Sequence, residues 1–573
     1  MVKNIAILTF SLFSIIFSCA QKDTQNYQGN WIGHLSNRTS FNFKITLQQS
    51  EANTYRIRIA NENTIYDKTL KSTSKQSIRI PVGEGVDMYL NAINNRQALS
   101  GFIKSGRYYY HILLHDTGNN TFVGDWNPFM LNNGMISDDI FLYTENNDDG
   151  SYVAYPFFGD QRFRGTWTDQ FTKEGNTLVF KDSNTGFNFR GIVSGNTIDL
   201  QIYIADAMVT SAILTHDTEE WEYKTDPLDK NQNTNRPQQL NDGWATANCD
   251  DTNISTSELA KLIEDIQSYK LVNTHSVLIA KEEKLVFEAY FDGHNAHIPH
   301  DLRSASKSIS SAIIGIAIND GIIKSVDETI YDFLPKTYDY TKDDLKSKIK
   351  IKDLLTMSSG LDVNNLASEN YYQDPRSNSK DWLTAVLEAP MVHTPGTYAD
   401  YGSANPFLLG VCLSERLDQP VEVYMDEKLF EPLGITSYIN QTDDTNSRPY
   451  FGGGMLLTSR DLLKFGQLYL NKGQWKGKQI VPKEWVEAST KKYVRLQDYE
   501  DKNEYGYQWW HDTYTVNGKA IASIEARGAG GQFIFILPEL DTVIVITSGN
   551  FRNRKGNQPR DILKDYILPA IVS

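Results

Sequence analysis

Strict alternation marks the first part of the chain. Runs such as "FNFKITLQ" (41–48) and "TYRIRIA" (54–60) place an apolar residue at every second position, as a strand with one buried face requires. Clusters of Asn, Gly, Asp and Ser separate such runs, and no convincing amphipathic helix occurs between about 25 and 224. An all-β region is predicted there. From 251 the period changes. "STSELAKLIEDI" (255–266) sets Leu259, Leu262, Ile263 and Ile266 at helical spacing, with Ser255 as N-cap and Glu258 at the matching capping-box position. "HSVLIAKEEKLVFEAYF" (275–291) predicts two strands turning at Glu282 and Glu283, and "GQFIFILPELDTVIVITSG" (531–549) a second pair turning at Pro538 to Asp541. "PRDILKDYILPAIV" closes the chain as a helix with Pro559 at its start. Helix, strand pair, long insertion, strand pair and helix predict an antiparallel sheet flanked by terminal helices.

Between the two parts lies "DPLDKNQNTNRPQQLNDGWATANCDD", rich in Asn and Gln and containing Pro. That is linker composition. The predicted organisation is a leader at 1–19, an all-β region at 25–224, a linker at 225–250 and a second domain at 251–573. A weak internal repeat divides the β region into 25–118 and 122–220. "GNW" (29–31) and "GDW" (124–126) open the halves, and "HDT" at 115–117 and 216–218 closes them. Each Trp is expected to plug a core. Each HDT is expected to end a strand and turn the chain, a paired site being the alternative. A Gly-x-Trp near a first strand resembles lipocalin-type barrels.

The net charge of −15 over 573 residues disfavours a nucleic-acid partner, which requires a basic face. The N-terminus carries Lys3 and then an apolar run from Ile5 to Phe17, too short to span a bilayer and of signal-peptide length. "IFSC" at its end resembles a bacterial lipoprotein signal, with Cys19 as the lipidated residue. A plain cleaved signal peptide is the alternative. An exported chain of the bacterial cell envelope, in periplasm or outer membrane, follows from either, touching the membrane only through a lipid anchor. Cys249 and Cys412 are either one disulfide or two isolated thiols. No Cys/His cluster has zinc spacing, "ENNDDG" (145–150) reads as a turn rather than a calcium loop, and no metal is predicted.

The chemistry concentrates in "DLRSASKSISSAIIG" (301–315). With Ser304 opening a helix that runs to about Asn319 and stops at Gly321, Lys307 lies one turn on and on the same face. A lysine there can hydrogen-bond the serine hydroxyl and take its proton, and free N–H groups at the helix start can bind an oxyanion. S-x-x-K alone occurs by chance in most chains of this length, so the surroundings decide. "HDLRSASKSISSAIIGIAINDG" (300–321), "IKIKDLLTMSSGLD" (349–362), "PGTYADYGSANPFLLG" (395–410), "GGGMLLTSRDLLKFGQLYLNKGQWKGKQIV" (452–481), "YGYQWW" (505–510) and "GAGGQFIFILPELDTVIVI" (528–546) together resemble the serine β-lactamase and penicillin-binding protein superfamily, in its class C-like branch, over about 245–573.

The resemblance implies a β-lactamase-like α/β domain, an antiparallel sheet with flanking helices and a helical subdomain, preceded by the all-β region. It implies Ser304 as nucleophile, Lys307 as its activating partner and Tyr401 as general base, alone or with Lys307. Ser403 would hydrogen-bond substrate or Lys307. The third motif departs from the family's lysine-threonine-glycine: "EARGAGGQ" (525–532) places Ala526, Arg527 and Gly528 there. Arg527 either supplies the missing charge or points outward as a strand cation. Gly528 would let substrate approach the strand edge, and Ala529 would give the second oxyanion N–H after that of Ser304. The implied activity is a cofactor-free serine hydrolase acting on a small ester, amide or peptide. The alternatives are a β-lactamase or cell-wall D,D-peptidase, and a non-catalytic binding protein on the same fold. The β region would bind a cell-envelope ligand or act as a spacer.

Overall fold

The computed structural model describes residues 27–572 apart from 52–53, 63, 72–76, 84–85, 93–97, 131–138, 147–150, 159–167, 218–235, 363–380, 444–446, 498–502 and 552. The leader with Cys19, the first part of the expected linker and most of the acidic turn at 145–150 lie outside the described residues.

The described residues of the N-terminal half form strands and turns, from Gly29–Leu35 to Ala207–Asp217. Strands such as Phe43–Glu51 bury alternate residues, as their period-two sequence predicts. The strands form two up-and-down runs whose first and last members pair. In one, Phe43–Glu51 pairs with Thr121–Trp126 and the chain meanders between them, with no ladder bond among the described residues between Thr64–Lys71 and Ser77–Gly83. In the other, Gly29–Leu35 sits between Asp139–Asn146 and Ala207–Asp217. The halves 25–118 and 122–220 therefore exchange their opening strands, and 43–126 is nested inside the second run. Trp31 and Trp126 are both buried. His115 and His216 lie at the ends of their strands, and Asp116 Oδ1 accepts the Gly118 N–H at 2.8 Å in the turn that follows. The two runs touch backbone to backbone at Gly106 and Gly186, where a Cβ on Gly106 would lie 2.3 Å from the Gly186 nitrogen.

The C-terminal half has the expected antiparallel sheet flanked by terminal helices. Its sheet runs Ala245–Thr246, Lys284–Tyr290, Thr274–Lys281, Thr542–Ser548, Gln532–Leu537, Lys519–Gly528, Trp510–Val516, Glu504–Tyr505, Val494–Arg495. Its central strands are apolar on both faces because both are covered. Phe533, Phe535, Ile544 and Ile546 pack under helix Thr256–Gln267 and the C-terminal helices. Ile534, Ile536, Val543 and Val545 pack with helices Ser306–Asn319 and Ser459–Leu470. Glu282 and Glu283 both take positive φ in the first hairpin turn (51° and 61°). Ser255 is the N-cap of helix Thr256–Gln267, but its hydroxyl meets that of Ser257 at 2.9 Å and makes no capping bond. Cys249 and Cys412 are buried free thiols. Burial pushes the Cys249 thiol up to about 11.

One expectation is corrected, and the two halves prove to be joined. The described part of the linker, 236–250, is docked rather than free. Trp244 is buried on Trp475 at 5.2 Å between ring centroids and donates to the Arg460 carbonyl. Arg460, itself buried, pairs with Asp242 and Glu288 and donates to the Gln238 carbonyl. The halves are also not independent. Strand Tyr108–Asp116 of the β region pairs with Tyr438–Gln441, which pairs with Met455–Leu457, which pairs with His300–Asp301. Thr442 and Arg107 exchange backbone and side-chain bonds, Ser100 donates to Asp426 at 3.1 Å, and Lys104 to Ser447 at 2.6 Å. One sheet thus runs from the β region to within three residues of Ser304.

Candidate active site

Helix Ser306–Asn319 is apolar enough to be buried on all sides through Ala317, so every polar group near its start needs a partner. Three serines of the run meet that need, whereas the buried Ser311 hydroxyl makes no hydrogen bond among the described residues. Ser306 donates to the Arg303 carbonyl at 2.8 Å, Ser308 to the Gln508 carbonyl at 2.7 Å, and Ser310 to the Ser306 and Phe451 carbonyls. Ser304 precedes them on the 3-10 turn Arg303–Ala305, half-buried. Arg303 holds φ at 48°, a costly value for a residue with a side chain. Asp301 braces it, accepting the Arg303 N–H at 3.0 Å and pairing with the guanidinium at 2.9 Å.

Lys307 is 1% exposed. Its ammonium nitrogen donates to Ser304 Oγ at 2.8 Å, to Ser403 Oγ at 2.9 Å and to the Gly452 carbonyl. It also stands 5.0 Å from the centroid of the Tyr401 ring. Tyr401 is buried beside Trp510 and Tyr505, at centroid separations of 5.1 and 6.2 Å. Met357, Ala399 and Leu496 complete that apolar cluster. Ser304, Lys307, Tyr401 and Ser403 therefore converge around one cation. Gly528 also joins them: a Cβ there would lie 2.2 Å from the Leu302 carbonyl, so the strand end abuts the nucleophile turn. Ala529 follows it, exposed.

Arg527 is held in place rather than offered to a ligand. Its Nε meets Glu525 at 2.6 Å, Nη2 meets Asp512 at 2.9 Å, Nη1 meets Asn503 at 3.3 Å, and the guanidinium stacks 4.9 Å from Trp510. Of the two readings left open for Arg527, these contacts favour the strand cation, tied into its own sheet. Beside it, burial drives His511 down to about 4, keeping that imidazole neutral.

Two features escaped the sequence reading. Gly452 supplies a carbonyl to Lys307, and a Cβ on it would come within 2.8 Å of the Ser403 Cβ. The triple glycine at 452–454 was the signal, without a partner to give it meaning. The second is a group of three histidines, His275, His294 and His300, whose ring nitrogens lie within 4.8 Å of one another. Their separation of 19 and 6 positions matches no zinc pattern.

Residues 259–568 match the profile of the family described as Beta-lactamase. Among curated proteins, the chain is similar to a 6-aminohexanoate-dimer hydrolase of Paenarthrobacter ureafaciens, 24% identical over 302 residues, 48% of this chain and 71% of that protein. It is also similar to Beta-lactamase-like protein 4 of Dictyostelium discoideum, 24% identical over 251 residues, 36% of this chain and 44% of that one. Among solved structures, a penicillin binding protein from Bacillus halodurans is 18% identical with a TM-score of 0.39, covering 51% of this chain and 94% of its own.

Proposed function

This chain belongs to the Beta-lactamase family, and from that premise we propose that it is a serine hydrolase working through an acyl-enzyme on small esters or amides. The observation that carries the reading is the buried Lys307 ammonium, bonded to Ser304 and Ser403 and facing Tyr401. Ser304 Oγ attacks the substrate carbonyl while its proton passes to the Tyr401 oxygen, a phenolate stabilised by the neighbouring Lys307 ammonium. The oxyanion forms against the N–H groups of Ser304 and Ala529. Collapse breaks the ester or amide bond, and the leaving group takes the proton through Tyr401 or Ser403. Water, deprotonated by the same phenolate, then attacks the acyl-enzyme, frees the acid and restores the Ser304 hydroxyl. Neither a cofactor nor a metal enters these steps.

The engagement of Arg527 with Glu525 and Asp512 supports substrates that need no carboxylate clamp. The relative named as a 6-aminohexanoate-dimer hydrolase supports the amide arm. A β-lactamase or D,D-peptidase is the second reading, resting on the family. The leader supports export and lipid anchoring at Cys19, and the β region would serve as a binding module for envelope material or as a spacer. A fluorophosphonate probe is expected to label the full chain and not Ser304→Ala, with turnover of nitrophenyl esters or short amides exceeding that of penicillins and D-alanyl peptides. Retained labelling of Ser304→Ala overturns the nucleophile. No labelling and no turnover of any substrate favours a binding protein.

A further inference from the structure

We propose that His275, His294 and His300 form a binding site for one divalent transition-metal ion of the zinc class, beside the strand that leads into the nucleophile turn. Three separate elements bring the rings together. His275 lies on strand Thr274–Lys281 and His300 on the short strand His300–Asp301. His294 follows a turn at Asp292 and Gly293, both with positive φ (53° and 75°). Two backbone bonds set that turn over the sheet: Phe291 N–H to the His275 carbonyl at 2.9 Å, and His294 N–H to the Phe291 carbonyl at 3.1 Å. The His275 and His294 rings stack at 4.2 Å, and His275 Nδ1 meets His300 Nε2 at 2.8 Å. Gly549 makes room for the His275 ring, since a Cβ there would come within 2.7 Å of it.

The donor chemistry selects the ion. Three imidazoles without a carboxylate suit zinc, cobalt, nickel or copper and not magnesium or calcium. His300 Nδ1 lies 3.1 Å from the Asp301 carbonyl. Donation there leaves the Nε2 lone pair directed into the group, the outer-shell arrangement that orients metal-binding histidines. Zinc–nitrogen bonds of about 2.0–2.1 Å in a tetrahedron place ligand nitrogens about 3.3 Å apart. The close pair would open by about half an ångström and the widest separation would close by about 1.5 Å, movements within reach of a ring rotation at His294. His275 and His294 are half-buried, which leaves a side for entry and for a water as fourth ligand.

A bound ion would staple the loop 292–299 to the strand carrying His300 and Asp301. Asp301 in turn braces Arg303 next to Ser304. The site stands apart from the acyl chemistry and does not depend on it.

The test is a titration of the untagged, metal-stripped full chain with Co²⁺. One equivalent is expected to produce the visible absorption of a tetrahedral site, to be bleached by Zn²⁺, and Zn²⁺ is expected to raise the melting temperature. His294→Ala should lose the absorption and weaken Zn²⁺ binding beyond the roughly 10- to 100-fold cost of losing an outer-shell partner. His297→Ala, an exposed position in the same loop, should bind as the parent does. Absence of saturable one-equivalent binding by the parent chain, or parental affinity in His294→Ala, overturns the site.

Discussion

At the scale of single residues, the site depends on what surrounds one ammonium. Lys307 gives up water entirely and receives two hydroxyls and a carbonyl instead. Its partner Tyr401 is buried among aromatic rings, so Tyr401→Phe removes one oxygen and leaves the packing unchanged. Steady-state kinetics should show kcat reduced about 100- to 10,000-fold with KM nearly constant; a fall below about tenfold would make Tyr401 a packing residue only. Gly452 acts through its backbone. Gly452→Ala forces a methyl against Ser403, whose Cβ and carbonyl would lie at 2.8 and 2.9 Å, and so displaces the carbonyl that Lys307 uses. Labelling by fluorophosphonate should slow at least tenfold (about 1.4 kcal/mol in barrier), with a modest fall in melting temperature from the overpacking. An unchanged labelling rate would show that this carbonyl is dispensable.

At the scale of elements, the site is a junction of a helix start and a strand end. The 3-10 turn Arg303–Ala305 and strand Lys519–Gly528 meet with only a glycine hydrogen between them. Gly528→Val is expected to push the strand off the turn and to abolish labelling at Ser304, with far-UV circular dichroism retained. Equal labelling would mean that the strand end has no part in forming the site. Arg527, one residue earlier, works within its own sheet. Bound to Glu525 and Asp512 and stacked on Trp510, it stiffens the wall against which Tyr401 packs.

At the scale of the whole molecule, the β region is part of the catalytic half's core. Ile439 and Leu456 pack into the β-region core, while Phe102 and Tyr109 pack into the catalytic one. A fragment starting at Asn241 would expose one edge of Tyr438–Gln441, now covered by Tyr108–Tyr110, and uncover Ile439 and Leu456. It is expected to be insoluble or unlabelled by fluorophosphonate; a soluble fragment with parental ester turnover would show that the halves function separately. Glu422, fully buried on helix Val421–Met425, adds a pH dependence to this junction. Desolvation raises its carboxyl to about 7, with Lys104 opposing and Asp443 reinforcing the shift. Because the folded chain holds this proton more tightly than the unfolded one, the stability it confers is present at acid pH. It falls as pH rises from the ordinary carboxylate range and is lost above about 7, amounting to about 3 kcal/mol. The melting-temperature difference between Glu422→Gln and the parent should therefore grow from pH 5 to pH 8. A difference constant with pH would show that Glu422 does not titrate there.

The sequence by itself determined what depends on local period and near spacing. Alternation set the strands, the apolar run set helix Ser306–Asn319, and a separation of three residues on one helical turn put Lys307 beside Ser304. The ordered motifs carried Tyr401 and Ser403 into the same site. Only the tertiary structure decided which distant groups meet. Ser403 and Gly452 reach Lys307 across 96 and 145 positions, and no local pattern encodes such a distance. The strand exchange between "GNW" and "GDW" is equally invisible, because either strand would pair with either run by its alternation alone. Composition misread 236–250 for a related reason: a polar stretch is a linker only if its few large residues stay in water, and Trp244 does not. Arg527 and the three histidines show the same limit. A side chain's type states what it can bind, but burial and neighbours, which arise only when the sheet closes, decide whether it holds its own fold together or remains available to a ligand.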